Sequence, residues 1–106
     1  MVACCASVTF AAAAHDAERG RRLLAQYQCG SCHVIPGVAA ATGRSAPTLA
    51  AFGRRSYIGG RWPNETDALV RWIVAPRALL PDATMPAMGA GEADARDMAA
   101  YLMALK

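Results

Sequence analysis

The sequence contains no long hydrophobic run. Hydrophobic residues make up 55% of its 106 residues and charged residues only 18%. Even so, no stretch reaches the roughly 18 consecutive apolar residues that a membrane-spanning helix requires. The chain also lacks an internal repeat and the apolar–polar alternation that is typical of strands. These absences exclude a membrane-spanning helix and a repeat array, and they favour one small all-α domain.

Lysine is almost absent, because the eleven basic residues are ten arginines and the single Lys106. Residues 15–62 contain seven arginines and two acidic residues, whereas residues 63–106 contain four basic and six acidic residues. No basic stripe interleaved with aromatic residues is present, so we expect no nucleic-acid binding. The positive charge of the first half instead predicts docking on acidic protein surfaces.

The four cysteines are too few and too unevenly placed for a disulfide framework or a zinc site. Vicinal cysteines such as Cys4 and Cys5 rarely form an unstrained disulfide. A zinc site needs four ligands, and the candidates outside residues 29–33 are Cys4, Cys5 and His15, all near the N-terminus. A thioredoxin-like cysteine pair would need a preceding strand in a βαβ unit, which the pattern does not show.

The remaining cysteines form the sequence Cys29-Gly30-Ser31-Cys32-His33. Two cysteines three positions apart, followed at once by a histidine, are the attachment site of c-type haem. Each thiol would form a thioether with a haem vinyl group, and His33 would ligate the iron. We therefore expect one covalently attached haem c, which would fill the core of a chain too short to bury much on its own.

Residues 1–14 carry no charge and end in a run of alanines before His15. Small residues at that place fit the cleavage site of a secretory leader, although the usual basic residues at its start are missing. We therefore predict a leader over residues 1–14, a domain over residues 15–106 and a periplasmic location, which suits covalent haem attachment. Alternatively, Met1-Val2-Ala3-Cys4 is the end of a lipoprotein signal, and Cys4 carries a lipid anchor.

Apolar residues at helical spacing predict helices separated by loops rich in glycine and proline. Asp16 is the expected N-cap of the first helix, and the terminal helix has apolar residues at i, i+3, i+4 and i+7 from Met98. The predicted helices cover residues 18–28, 49–55, 64–75 and 92–105. Pro76 is expected to close the third helix, and residues 34–48 and 78–90 are expected to be irregular.

In this order of elements the chain resembles a class I c-type cytochrome, and most of all the short bacterial monohaem cytochromes. The resemblance covers residues 16–106 and depends on the cysteine motif, a few loop sequences and the later helices. The segments that carry the resemblance are Cys-Gly-Ser-Cys-His at 29–33, Ala-Pro-Thr-Leu at 46–49, the helix at 69–76, Ala-Thr-Met-Pro at 83–86 and Ala-Tyr-Leu at 100–102. The resemblance implies the all-α cytochrome c fold and a carrier of single electrons that is not an enzyme.

The second axial ligand of the iron is left open between two residues. Of the five methionines, one lies in the predicted leader and two lie in the terminal helix, which leaves Met85 and Met88 in the proline-rich loop. The resemblance favours Met85, because Thr-Met-Pro matches the methionine loop of the family and Pro86 would fix the backbone after the ligand. A thioether favours ferrous iron, so His33 and Met85 together would raise the reduction potential.

The resemblance also implies supporting residues. The backbone carbonyl of Pro47 would accept a hydrogen bond from His33 and fix its tautomer. Trp72 and Ile73 would face the haem and exclude water. The candidate hydrogen-bond donors to the haem propionates are Tyr57, Trp62, and Arg54 or Arg55.

Two other functions fit parts of the same sequence. A haem enzyme or gas sensor would use the same attachment site with a labile sixth ligand, and a thiol redox module would use the cysteines without haem. An electron carrier would instead work between redox proteins such as a terminal oxidase, a quinol-oxidising complex or a dehydrogenase. It would do so as a monomer or as a subunit of such a complex.

Overall fold

Four helices, two short 3₁₀ turns and one small hairpin make up the regular structure of the described residues. The computed structural model describes residues 4–5 and 15–106. The helices are α1 (Ala17–Gln26), α2 (Thr66–Val74), α3 (Pro76–Leu79) and α4 (Glu92–Ala104). The 3₁₀ turns are Cys29–Ser31 and Phe52–Arg54, and the strands are β1 (Tyr57–Ile58) and β2 (Trp62–Pro63). The prediction of an all-α chain is confirmed, with the two-residue strands as its exception.

The predicted leader, residues 1–14, lies outside the described residues except for Cys4 and Cys5, whose side chains are exposed. Both cysteines are free thiols, so the structure gives them no disulfide. Within the described ranges, no helix has the length and apolar character that a membrane span requires.

Helix α1 crosses α4, and this contact joins the two ends of the domain. Asp16 caps α1 as predicted, because its carboxylate accepts a hydrogen bond from the backbone N–H of Arg19 at 2.9 Å. At the crossing, Gly20 lies directly against the backbone of α4. A Cβ at Gly20 would stand 1.9 Å from the carbonyl oxygen of Asp97, so no larger residue fits without moving the helices apart.

The hydrophobic core lies where α1, α2 and α4 meet. Leu24, Leu69 and Met98 are its largest fully buried side chains from these helices. Burial of a side chain of this size contributes about 1.5–3 kcal/mol relative to exposure. The core therefore holds the three helices together and leaves the loops between them to form the functional site.

Pro76 begins a helix, whereas the sequence pattern predicts only that it ends one. Ala75 leaves the helical conformation with φ −149° and ψ 78°, because the α region is disfavoured for a residue before proline. Pro76 then occupies the first turn of α3, where its missing N–H costs no helical hydrogen bond. The predicted irregular segment therefore begins after α3 and not at residue 78.

The sequence pattern predicts no strand, yet β1 and β2 pair as an antiparallel hairpin with Ile58 opposite Trp62. Gly59 and Gly60 have φ of 59° and 72°, and such left-handed backbone turns favour glycine. Strands of two residues are too short to show alternation, which explains the wrong prediction. The predicted helix over residues 49–55 is also wrong in extent, since only the 3₁₀ turn Phe52–Arg54 forms there.

Candidate functional site

One cavity gathers the residues that the sequence analysis selected. Its volume is about 690 Å³, and its lining comes from the cysteine motif, the hairpin, α2 and the methionine loop. The six predicted site residues all line it: Cys29, Cys32, His33, Pro47, Trp72 and Met85. The volume lies within the range of roughly 300–1,000 Å³ that is typical of cofactor sites.

The chain turns sharply to present the two thiols to this cavity. Gln28 adopts a left-handed backbone with φ 59° before the 3₁₀ turn Cys29–Ser31. Gly30 is needed in that turn, because a Cβ on it would lie 2.4 Å from the Cα of Ala41. Burial raises the pKa of the half-buried Cys29 thiol, whereas Cys32 is exposed. The edge of the cavity beside Cys32 is therefore open to solvent.

The imidazole of His33 is held in one tautomer. Its Nδ1 lies 2.6 Å from the carbonyl oxygen of Pro47, which is the contact that the resemblance implied. A carbonyl oxygen only accepts hydrogen bonds, so Nδ1 carries the proton and Nε2 keeps a free lone pair. A nitrogen in that state is suited to bind a metal ion.

The stretch 46–49 is bound at one end to the cysteine motif and at the other to Val34, the residue directly after it. The N–H of Ala46 donates to the carbonyl of Cys32 at 3.0 Å, and the N–H of Leu49 donates to the carbonyl of Val34 at 2.8 Å. These bonds run on either side of Pro47. The acceptor of the His33 hydrogen bond is thus built into the same backbone framework as His33 itself.

The two candidate methionines both line the cavity but differ in exposure. Met85 is half-buried, whereas Met88 is 44% exposed. Both also line an apolar pocket of about 60 Å³ that shares Cys29, His33 and Trp72 with the larger cavity. Met98 also lines this apolar pocket, but it is 1% exposed within the core and does not line the larger cavity.

Trp72 and Ile73 are the two residues expected to face the haem. Trp72 lines both the cavity and the apolar pocket, whereas Ile73 lines only the apolar pocket. Gly59 allows the hairpin to approach Trp72, because a Cβ there would lie 3.1 Å from Cη2 of the indole. The indole is therefore held between α2 and the hairpin turn.

The four candidate propionate donors separate into two pairs. Arg55 and Tyr57 line the cavity, and Arg54 and Trp62 do not. The indole N–H of Trp62 donates instead to the carbonyl of Leu79 at 3.2 Å, which ties the hairpin to α3. The structure therefore gives no support to Trp62 as a propionate donor, because the N–H of its side chain already has a partner within the fold.

Phe52 is a site residue that the sequence analysis missed. It is 6% exposed and lines both the cavity and the apolar pocket, as does Leu49. The guanidinium carbon of Arg55 lies 5.5 Å from the centre of the Phe52 ring. The spacing of three between Leu49 and Phe52 is a helical signal that indicates a shared buried side, but not which cavity that side lines.

Among the described residues, some arginines form ion pairs with acidic side chains and others do not. Arg19 joins α1 to α4 by donating to Asp94 and Asp97 at 2.7 Å each. The Tyr27 hydroxyl, which donates to Asp94 at 2.6 Å, and Arg19 together lower the pKa of the Asp94 carboxyl. Arg19 also lowers the pKa of Asp97. Six arginines have no acidic group within ion-pair distance among the described residues: Arg44, Arg54, Arg55, Arg61, Arg71 and Arg77.

Two thiols, an imidazole of fixed tautomer and a thioether around one cavity are the set of groups that a haem-c-binding protein uses. The sequence model of the family described as Cytochrome c matches residues 17–106. The chain therefore belongs to the cytochrome c family and has the cytochrome c fold. This membership implies covalently bound haem c and supports a role in electron transfer, since the family consists in general of carriers and not of enzymes. No curated protein matched the chain.

Proposed function

We propose that this chain is an exported electron carrier with one haem c, and that His33 and Met85 are the axial ligands of its iron. The observation that carries the proposal is the common cavity on which the thiols of Cys29 and Cys32, the imidazole and the thioether converge. When bound, haem c supplies an iron atom that takes up and releases one electron. The protein holds this group, fixes its ligands and keeps water away.

Cys29 and Cys32 would each hold the cofactor through a thioether. Cys29 is half-buried and Cys32 is exposed. His33 would bind the iron through Nε2, because Nδ1 carries the proton that it donates to the Pro47 carbonyl. The hydrogen bond also keeps the ring from rotating. This wall of the cavity therefore supplies a ligand that is oriented before the iron is bound.

Met85 suits the opposite axial position better than Met88. A ligand of a buried iron has to lie inside the loop that covers it, and Met85 is half-buried while Met88 is 44% exposed. Pro86 fixes the backbone directly after Met85. We assign Met88 to packing at the rim of the cavity, where its flexible side chain fills space.

If His33 and Met85 both bound the iron, no position on it would be left for a substrate, which favours a carrier over an enzyme. Trp72, Phe52 and Leu49 line both the cavity and the apolar pocket. These side chains exclude water from the inner part of the site. The exposed side of the motif at Cys32 is the expected route of electrons to and from a partner.

The partners that fit this chain are redox proteins with acidic docking surfaces. The arginines of residues 44–77 have no ion-pair partner among the described residues, whereas the acidic residues of α4 pair with Arg19 and Arg96. Unpaired positive charge would attract a negatively charged partner, and Arg55 places one such charge at the cavity. A terminal oxidase, a quinol-oxidising complex or a dehydrogenase in the periplasm would provide such a surface, and lipidation at Cys4 would hold the carrier near it.

Absorption spectra test the assignment of the ligands. We would produce the protein together with periplasmic haem-attachment machinery and compare wild type, Met85→Ala and the matched control Met88→Ala, each oxidised and reduced. Wild type and Met88→Ala should show a sharp low-spin ferrous α band and a weak far-red ferric band from sulfur to iron. Only Met85→Ala should lose the far-red band.

Loss of the far-red band in Met88→Ala alone would assign the ligand to Met88. A high-spin wild-type spectrum, with rapid carbon monoxide binding by the ferrous protein, would contradict the carrier and support a site with a labile sixth ligand. Haem that leaves the protein on acid and organic extraction would contradict covalent attachment.

A further inference from the structure

Arg55 connects two walls of the cavity. Its Nη2 donates a hydrogen bond to the carbonyl of Thr48, and its Cζ lies 5.5 Å from the ring centre of Phe52. That distance is within the range of a cation–π interaction. The guanidinium therefore bridges the Phe52 turn and the stretch 46–49.

The carbonyl that Arg55 binds follows directly after the one that His33 binds. Pro47 accepts from His33 at 2.6 Å, and Thr48 accepts from Arg55. The stretch 46–49 is bound at one end to Cys32 of the motif and at the other to Val34, the residue after the motif, but Pro47 has no N–H in its middle. Arg55 supplies a hydrogen bond to the middle of the stretch, at Thr48.

Arg55 itself extends from a fixed base. The side-chain amide of Asn64 donates to the carbonyls of Phe52 and Arg55, at 3.0 Å each. On the other side of the turn, the N–H of Gly53 donates to the carbonyl of Leu105 at 2.7 Å. The turn is thus bonded to the residue after β2 and to the residue after α4, and a shift of the Arg55 backbone would require these bonds to break.

We propose that Arg55 is a positioning residue for His33, which it serves by holding the Thr48 carbonyl and, through it, the adjoining Pro47 carbonyl. This inference rests on the proposed function and extends it to the control of the reduction potential. A firmly held acceptor on Nδ1 makes the imidazole a stronger electron donor. A stronger donor stabilises ferric iron and lowers the potential.

The sign of the change in potential separates this role from a simple effect of charge. If Arg55 acts by positioning, its removal weakens the His33 hydrogen bond and raises the potential. If Arg55 acts only as a nearby positive charge, its removal favours the more positive ferric iron and lowers the potential. Exchange of the His33 Nδ1 proton with solvent reports the hydrogen bond directly.

The test compares the ferrous holoproteins of wild type, Arg55→Leu, Arg55→Lys and the control Arg54→Leu. Arg54 is the neighbouring exposed arginine, carries the same charge and does not line the cavity. For each protein we would measure solvent exchange of the His33 Nδ1 proton by NMR and the potential by spectroelectrochemistry. Loss of one ordinary hydrogen bond corresponds to a change of up to about tenfold in exchange rate.

We expect faster exchange, by up to about tenfold, and a raised potential in Arg55→Leu. Arg55→Lys retains a charged donor and should restore both values towards wild type, and Arg54→Leu should leave the exchange rate unchanged. An unchanged exchange rate in Arg55→Leu, or an equal increase in Arg54→Leu, would overturn the inference. A lowered potential with unchanged exchange would show that Arg55 acts by charge alone.

If Arg55→Leu fails to fold, Arg55→Gln is measured instead, because glutamine is neutral and too short to reach Thr48 from the same base. The same increases in exchange rate and potential are expected, and their absence overturns the inference. A wild-type protein without the low-spin spectrum would overturn the proposed function and this inference together. A low-spin wild type with His33 exchange unaffected by Arg55 would overturn the inference alone.

Discussion

Replacement of Gly20 by alanine should destabilise the protein although alanine is the better helix former. The new Cβ would lie 1.9 Å from the carbonyl oxygen of Asp97, and ordinary contact begins at 3.4 Å. The helices must therefore separate by about 1.5 Å, the shortfall between these distances. Overpacking typically costs about 1–3 kcal/mol, and a Cβ this close to backbone lies at the upper end of that range. The higher helix propensity of alanine offsets about 1 kcal/mol, so we expect a net loss of about 2 kcal/mol.

The measurement is guanidinium-induced unfolding of the ferric holoprotein, followed by tryptophan fluorescence. Gly91→Ala is the matched control, because nothing lies within 4 Å of a Cβ at that position and its φ of −77° suits any residue. The control should change the free energy of unfolding by no more than about 1 kcal/mol, the effect expected of a changed N-cap. If Gly20→Ala behaved like the control, the close helix crossing could not be a determinant of stability.

Three further expectations concern acid, the cofactor and partner charge. Since Arg19 lowers the pKa of Asp97 in the folded protein, its stabilisation is present above the unfolded-state pKa and is lost as the pH falls through the folded-state pKa. Asp97→Asn should therefore weaken the protein at pH 7 and flatten the stability loss below about pH 4 in urea titrations; parallel curves would contradict this. The double variant Cys29→Ala/Cys32→Ala should yield an apoprotein without a cooperative thermal transition by circular dichroism, and a cooperative transition would show that the cofactor is dispensable for folding. Oxidation of the ferrous protein by anionic ferricyanide should slow with added salt, whereas oxidation by a cationic cobalt complex should not; equal salt dependence would contradict the basic docking surface.

The residues that the structure gathers at the cavity were predictable because covalent haem attachment constrains both residue type and spacing. The cysteine motif needs two thiols and an imidazole at fixed positions, and the methionine loop is marked by its prolines. The apolar spacing of α2 and α4 also follows from helical periodicity. Local sequence is sufficient for these features, since each depends on residues close together in the chain.

Features that depend on distant contacts were not predictable in the same way. Phe52 reaches the cavity because Asn64 and Leu105 hold its turn, and no local sequence pattern shows those contacts. The sequence names Arg54 or Arg55 as a site residue, but only the folded turn decides for Arg55. Pro76 carries two signals, since proline both ends a helix and is favoured at the start of the next. The pattern shows that a boundary lies there, but it does not show that α3 begins directly after the single non-helical residue Ala75.

The two sides of the cavity are held by different means. Hydrogen bonds hold the His33 side, where the stretch 46–49 binds the motif and Arg55. On the other side, residues 84–90 make no hydrogen bond to another described residue, so their geometry depends on packing, on Pro86 and on the proposed bond from Met85 to iron. Changes on the first side should therefore alter how strongly His33 donates electrons and shift the potential. Changes on the second side should alter whether the thioether is bound at all, so the two ligands can be tested separately by potential and by spectrum.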